Sequence, residues 1–177
     1  MAYRKYLDDY RVEVYVDEKG RNKKRAVYVG GDYILSPAIS VVNKRLILAL
    51  SILFWFPFVG ALLPASRASQ LFYVILPFVF SAVPQYLIVG AAVSLVWEDE
   101  RMTRERADKI ANRLPTCSAS IAILSGVALI GIIISAIFTA QEMLFGDLLF
   151  GVMTLINAAA ASVIFLKCRL IKSVMAN

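Results

Sequence analysis

The sequence has no histidine among its 177 residues and only two cysteines, Cys117 and Cys168. The missing imidazole excludes histidine-ligated haem and histidine-based zinc or copper sites, and it removes the commonest general base. Two separated thiols cannot form a zinc cluster by themselves, and in a reducing cytoplasm they stay unpaired. Neither a glycine-rich phosphate loop nor a Gly-x-Ser-x-Gly elbow is present. We therefore expect no cofactor, no metal and no enzymatic activity.

Charge is missing from four long stretches of the chain. These apolar runs are Leu46–Leu63, Leu71–Trp97, Cys117–Ala140 and Leu148–Leu166, and none contains Asp, Glu, Lys or Arg. A span needs about 20 apolar residues, and a charge at the bilayer centre costs about 2.5–3.5 kcal/mol. The sequence therefore predicts an all-α membrane protein in which residues 37–177 form a four-transmembrane-helix bundle. Residues 1–36 are predicted to form a small N-terminal cytoplasmic β-hairpin or meander.

The basic residues are sorted by their position between the runs. Residues 1–45 hold ten Lys and Arg, the link between the second and third runs holds five, and the tail after the fourth run holds three. Only Arg67 lies in one of the other two links. Because cytoplasmic loops are enriched in Lys and Arg, we expect a multi-pass protein of the cell membrane with both termini in the cytoplasm.

The N-terminal segment carries a strand pattern. Tyr10–Val16 and Arg25–Val29 alternate β-branched residues with others across a polar turn, and Tyr33–Leu35 is a candidate third strand beside them. An isolated hairpin is marginally stable, so it must lean on the membrane, the cytoplasmic link or a partner. The basic turn favours lipid headgroups or a protein over nucleic acid, because it is tethered beside a membrane. Its residues are Lys19, Arg21, Lys23, Lys24 and Arg25.

The cytoplasmic link is predicted to be helical over residues 98–114. It lacks Gly and Pro, and pairs of opposite charge such as Glu105 and Lys109 lie four residues apart. We expect this helix to continue the second span or to lie on the surface, and to end at Pro115.

Small and polar residues within the spans suggest how the helices pack. Small residues one turn apart predict that the third and fourth spans are close neighbours; they include Gly126, Gly131, Ala158 and Ser162. The mid-span amides Gln85 and Asn157 are predicted to act as packing contacts, bonded to each other, or alternatively as a polar lining for a substrate path. In the last outer link, Glu142 and Asp147 are expected to be solvated loop residues.

These features favour a non-enzymatic accessory or scaffold subunit. Its expected partners are the lipid bilayer and either another membrane protein or further copies of itself in a homo-oligomer; no nucleic acid is expected. The alternative is a small oligomeric transporter or channel for a neutral or lipid-like solute, with Gln85 and Asn157 as its lining. A lipid-processing enzyme using Glu98, Asp99 and Glu100 is disfavoured because it would have to work without histidine.

Overall fold

The computed structural model describes residues 2–17, 20–36, 39–62, 68–97, 101–138 and 145–175, which are mostly helical. The helices are α1 (Val41–Leu53), α2 (Trp55–Leu62), α3 (Phe72–Phe80), α4 (Ala82–Trp97), α5 (Arg104–Phe138) and α6 (Phe145–Cys168). The strands are β1 (Tyr10–Val16), β2 (Asn22–Tyr28), β3 (Tyr33–Ser36) and β4 (Lys172–Met175), and Ala2–Asp9 and Ala68–Gln70 form 3₁₀ turns.

Prolines account for the two places where an apolar run is divided. A proline has no N–H to donate to the carbonyl four residues earlier, so Pro57 leaves Leu53 and Pro84 leaves Phe80 without that bond. Leu53 is the last residue of α1 and Phe80 the last of α3. Among the described residues, three helical stretches are long and apolar enough to cross a membrane: α3 together with α4 (Phe72–Trp97), α5 (Arg104–Phe138) and α6 (Phe145–Cys168). The first run is split into α1 with 13 residues and α2 with eight.

The helices form four columns arranged in a ring. The α1–α2 column contacts α4 on one side and α6 on the other, and α5 contacts α3, α4 and α6. The most extensive contact joins α5 and α6, as the small residues of the third and fourth runs predicted.

Two apolar clusters fill the interior of the ring. The lower core, at the end where the termini lie, includes Phe54, Ile88, Ile121 and Ala160. The upper core contains a row of aromatic rings, in which Phe58 stacks on Phe78 at 5.0 Å and Phe78 lies 5.1 Å from Phe150. Residues 54–58 contain four aromatic side chains, of which Phe54 and Phe58 pack in the core, whereas Phe56 is exposed.

The β1–β2 hairpin is present as predicted, with β1 over the expected residues and Tyr10 opposite Tyr28. The third strand, however, does not join the hairpin. It pairs with β4 at the other end of the chain, with Tyr33 opposite Met175 and Ser36 opposite Lys172. Tyr33 also exchanges backbone hydrogen bonds of 2.9 and 3.0 Å with Met102 in the link. Residues 33–36, the link and the C-terminal tail therefore meet at one end of the bundle, here called the termini end.

The expectation for Pro115 was wrong. The link helix continues through Pro115 into the third apolar run as the single helix α5, instead of extending α4 or ending. A proline inside a helix costs about 3 kcal/mol, whereas burying one Leu or Ile side chain is worth about 1.5–3 kcal/mol. Buried residues occupy one continuous stripe on both sides of the proline, so burial offsets that cost. The stripe is Ala107, Ile110, Ala111, Leu114, Cys117, Ser118 and Ile121.

Candidate functional site

The base of the β1–β2 hairpin is fixed to the start of α5. The Tyr28 hydroxyl accepts a hydrogen bond from the Arg104 backbone N–H at 3.1 Å and donates to the Gly31 carbonyl at 2.8 Å. Tyr10 packs edge-on against Tyr28, with ring centroids 5.4 Å apart. Partial burial, with Glu105 and Tyr28 beside it, raises the pKa of Tyr10, whose hydroxyl hydrogen-bonds to the Glu105 carboxylate. The sequence left the membrane, the link or a partner as possible supports for the hairpin. In the described residues the hairpin contacts the link, at the start of α5.

Asp108 of α5 joins both ends of the chain to the bundle. Its carboxylate accepts a hydrogen bond from the Tyr6 hydroxyl at 3.1 Å and another from the Ser173 hydroxyl of β4. Sequence reasoning missed this residue, because Asp108 lies on a charged helix whose partners are far away in sequence. Arg104 attaches the N-terminal segment, since its guanidinium lies 3.8 Å from Asp9 and above the ring of Tyr33.

The distal half of the hairpin projects away from these contacts. Val12, Val14 and Val16 lie on one face of β1 and are 61–65 % exposed. Their cross-strand partners are Ala26, Lys24 and Asn22, so this face, called the valine face, is mainly apolar, with one cation at Lys24 and one amide at Asn22. It is continuous with the tyrosines that contact α5, because side chains two residues apart share a face of a strand.

The basic turn lies at the tip of the same hairpin. Gly20 adopts a positive φ of 70° there, which glycine accepts without steric cost. Lys23 contacts Asp17 at 2.6 Å, and Arg25 lies opposite Glu13 on the face that the valines do not occupy. Arg21, Lys23, Lys24 and Arg25 are all exposed, and Lys19 is outside the described residues.

A layer of polar side chains separates the two cores. Along α3 and α4 it lies between Phe78 and Ile88, on α5 between Ile121 and Ala128, and on α6 between Phe150 and Ala160. Its members, called the polar layer, are Ser81, Gln85, Ser125, Thr154 and Asn157, and all are fully buried.

The predicted bond between Gln85 and Asn157 is not formed. Gln85 donates to the Ser81 hydroxyl at 3.1 Å, and its carbonyl oxygen is without a partner. Both amide atoms of Asn157 and the Ser125 hydroxyl also lack a partner among the described residues. An unpaired buried polar group costs about 1–3 kcal/mol. The polar layer therefore lowers the stability of the bundle compared with apolar side chains at the same positions.

The small residues predicted to bring helices together differ in how closely they are packed. Gly131 faces α3, where an added Cβ would lie 2.8 Å from Val74 Cγ2, whereas an added Cβ at Gly126 would meet nothing within 4 Å. On α6, Ala158 is half-buried and Ser162 is exposed, with its hydroxyl donating to the Ala158 carbonyl at 2.8 Å. The buried stripe of α6 instead contains Asn157, Ala160, Ala161 and Ile164.

Three other titratable residues belong to the packing of the helices. Cys117 and Cys168 are both free and buried. Asp147 is not a solvated loop residue: it lies in the first turn of α6, is 8 % exposed and accepts a 3.0 Å hydrogen bond from the Ala68 N–H. A carboxylate is favoured there because helix N-termini carry partial positive charge. Glu142 is outside the described residues.

Comparisons with protein families, with curated proteins and with solved structures each find no match for this chain. Within the described residues, no group of three or more Cys, Asp and Glu is placed to hold a metal ion.

Proposed function

We propose that the chain is a four-span integral membrane protein whose termini end faces the cytoplasm. In the three candidate spans, only 28–33 % of the most apolar stretch is buried inside the bundle. The remaining apolar side chains point outward, including Tyr86, Ile123 and Ile137, each more than 65 % exposed. Soluble monomers rarely expose apolar surface on this scale, so surrounding lipid accounts for it better than water does. The α1–α2 column, close beside α4 and α6, supplies the fourth span.

Within the membrane the protein acts as a non-enzymatic accessory or scaffold subunit that binds a cytoplasmic segment of another protein through its hairpin. The observation that carries this proposal is the valine face, which is exposed although the hairpin base is firmly attached to α5. A two-stranded ribbon with an uncovered apolar face gains stability when a partner covers that face. Lys24 on the same face favours a partner segment that combines apolar and acidic side chains.

A photo-crosslinking amino acid at Val14, in the full-length protein in its native membrane, tests the docking role. We expect one defined protein adduct, lost when Val12 and Val16 are both replaced by Thr, which keeps strand propensity and removes apolar surface. The matched control replaces Arg11 and Glu13 by Thr on the opposite face, without changing the net charge, and should keep the adduct. The proposal fails if Val14 gives no adduct, or if both pairs of substitutions abolish it equally.

The alternative of a small oligomeric transporter or channel for a neutral solute is favoured by one observation, the polar layer. The unpaired amide of Asn157 could hydrogen-bond a neutral solute at mid-bundle, as polar side chains do in transport paths. Flux in liposomes should then be lost with Asn157→Leu or Gln85→Leu and retained with Ser162→Leu, which alters an exposed position on the same helix. Flux that survives both substitutions in the layer would exclude this alternative.

A further inference from the structure

A crevice between the C-terminal half of α4 and the start of α5 carries a cluster of positive charge. Its smaller cavity, of about 60 Å³, is lined by Gly90, Ala91 and Ser94 from α4 and by Arg106, Lys109, Ile110 and Arg113 from α5. The lining therefore holds three cations and no carboxylate. A larger cavity of about 310 Å³ adjoins it and shares Arg106, and its lining includes Trp97, Arg101 and Asp32.

The three cations form a ladder along α5. Positions 106, 109 and 113 are separated by three and four residues, so they lie on one face of the helix. Lys109 also contacts Glu105 at 2.5 Å, and Arg101 lies 3.8 Å from Asp32, so part of the charge is already balanced. Arg113 is exposed and has no ion-pair partner among the residues that the structure describes.

The α4 side of the crevice suits an acyl chain. An outward stripe along α4 consists of Val83, Tyr86, Gly90, Val93 and Trp97, all exposed. An added Cβ at Gly90 would meet nothing within 4 Å, so glycine leaves a notch in this stripe at the level of the cations. Trp97 is 80 % exposed at the end of the stripe, and tryptophan favours the headgroup level of a bilayer.

We propose that this crevice binds one anionic phospholipid, with its phosphate on Arg106, Lys109 and Arg113 and one acyl chain over Gly90. Basic pockets between spans on the cytoplasmic side suit such headgroups, and oxygen anions bind guanidinium groups through paired hydrogen bonds. The inference rests on the membrane placement proposed above and is independent of the hairpin partner. The cations would hold the phosphate and the notch would hold the acyl chain. Because different residues supply them, a substitution can remove the charge or the notch by itself.

The test uses Trp97 as a reporter in the full-length protein carrying Trp55→Phe. The protein is reconstituted into phosphatidylcholine nanodiscs that contain brominated phosphatidylglycerol or, separately, brominated phosphatidylcholine, because bromine quenches tryptophan on contact. We expect stronger quenching by the glycerol lipid. Arg113→Gln should lower the apparent association constant of phosphatidylglycerol about fivefold, which is the usual contribution of one basic residue near a membrane surface. Gly90→Leu should lower it without changing charge.

The control is Arg169→Gln, an equal charge change at an exposed position at the termini end and outside the crevice lining. It should leave the quenching difference intact, and added glycerol phosphate should not abolish that difference. Equal quenching by the two brominated lipids would overturn the inference. It would also be overturned if Arg169→Gln weakened the association as much as Arg113→Gln does, or if glycerol phosphate abolished the quenching difference. Absence of quenching by either lipid would instead contradict the membrane placement.

Discussion

At the scale of single residues, small side chains have different roles in the helices although they look alike in sequence. Gly131 lets α5 approach α3 closely, with Tyr73 and Val74 pressed against it, whereas Gly126 has open space around it. Both glycines lie in one helix and both fit a small-residue pattern. Only the position of the neighbouring helix separates a glycine that packing requires from one that it does not.

Gly131→Ala should therefore destabilise the protein, and Gly126→Ala should not. The new methyl at 131 would lie 2.8 Å from Val74 Cγ2, which forces a shift of the kind that costs about 1–3 kcal/mol. At 126 the methyl has room, and replacing glycine inside a helix gains up to about 1 kcal/mol. Thermal unfolding of both variants in the same mild detergent measures the difference. Equal midpoints would show that the contact of Gly131 with α3 does not limit stability.

At the scale of elements, the short β4 strand is held by the side chain of Asp108 as well as by its pairing with β3. The Ser173 hydroxyl donates to that carboxylate from the centre of the strand, and Tyr6 donates to it from the N-terminal turn. A four-residue strand pair exposes most of its backbone to water, so it needs such attachments to stay paired. Its stability depends on α5 more than on its own sequence.

Asp108→Ala should release β4 from α5 while the helix bundle stays folded. Each hydrogen bond to a charged group is worth about 1.5–3 kcal/mol, so amide exchange at Ile34 and Val174, which face each other across the pair, should accelerate at least about tenfold. Asn112→Ala, on the same helix, removes only a local bond to the Asp108 carbonyl and is the control. Hydrogen exchange with mass spectrometry reports both segments, and unchanged rates in Asp108→Ala would contradict this role.

At the scale of the whole molecule, strand pairing brings the two ends of the chain to the same end of the bundle. β3 and β4 are hydrogen-bonded to each other, and Tyr33 is bonded to the link between α4 and α5. The distribution of Lys and Arg also predicts that both termini and the link between α4 and α5 lie on one side. That prediction rests on the compartment that each link faces, and not on strand pairing. The 3₁₀ turn Ala68–Gln70 and the start of α6 lie at the opposite end, joined by Asp147.

Cysteines introduced at Arg25 and Val174 should therefore react from one side of the membrane, and a cysteine at Gln70 from the other. All three positions are exposed, whereas the native thiols are buried. A membrane-impermeant maleimide applied to right-side-out cells should label position 70 alone, and inverted vesicles should expose positions 25 and 174. Labelling of 25 and 174 from opposite sides would be incompatible with the β3–β4 pair.

Sequence patterns with local causes were the most reliable guide to this fold. The alternation of β-branched residues in Tyr10–Val16 gave the bounds of β1, because a two-residue repeat is a property of a single segment. The polar residues Gln85 and Asn157 were recognised as unusual, but their relation was predicted incorrectly. Whether two amides can bond depends on the rotation of two separate helices, which neither segment encodes alone. The continuous stripe from Ala107 to Ile121 did carry the signal that the helix runs through Pro115.

By itself, the sequence determined the apolar runs, the hairpin and the sorting of basic residues, because each follows from the solvent that a segment prefers. Tertiary structure alone decided that β3 pairs with β4, that Asp108 joins both ends of the chain, and that three cations line a notch at Gly90. These are contacts between segments distant in the chain. Their geometry is fixed by how four helical columns pack around one another, which no local pattern specifies.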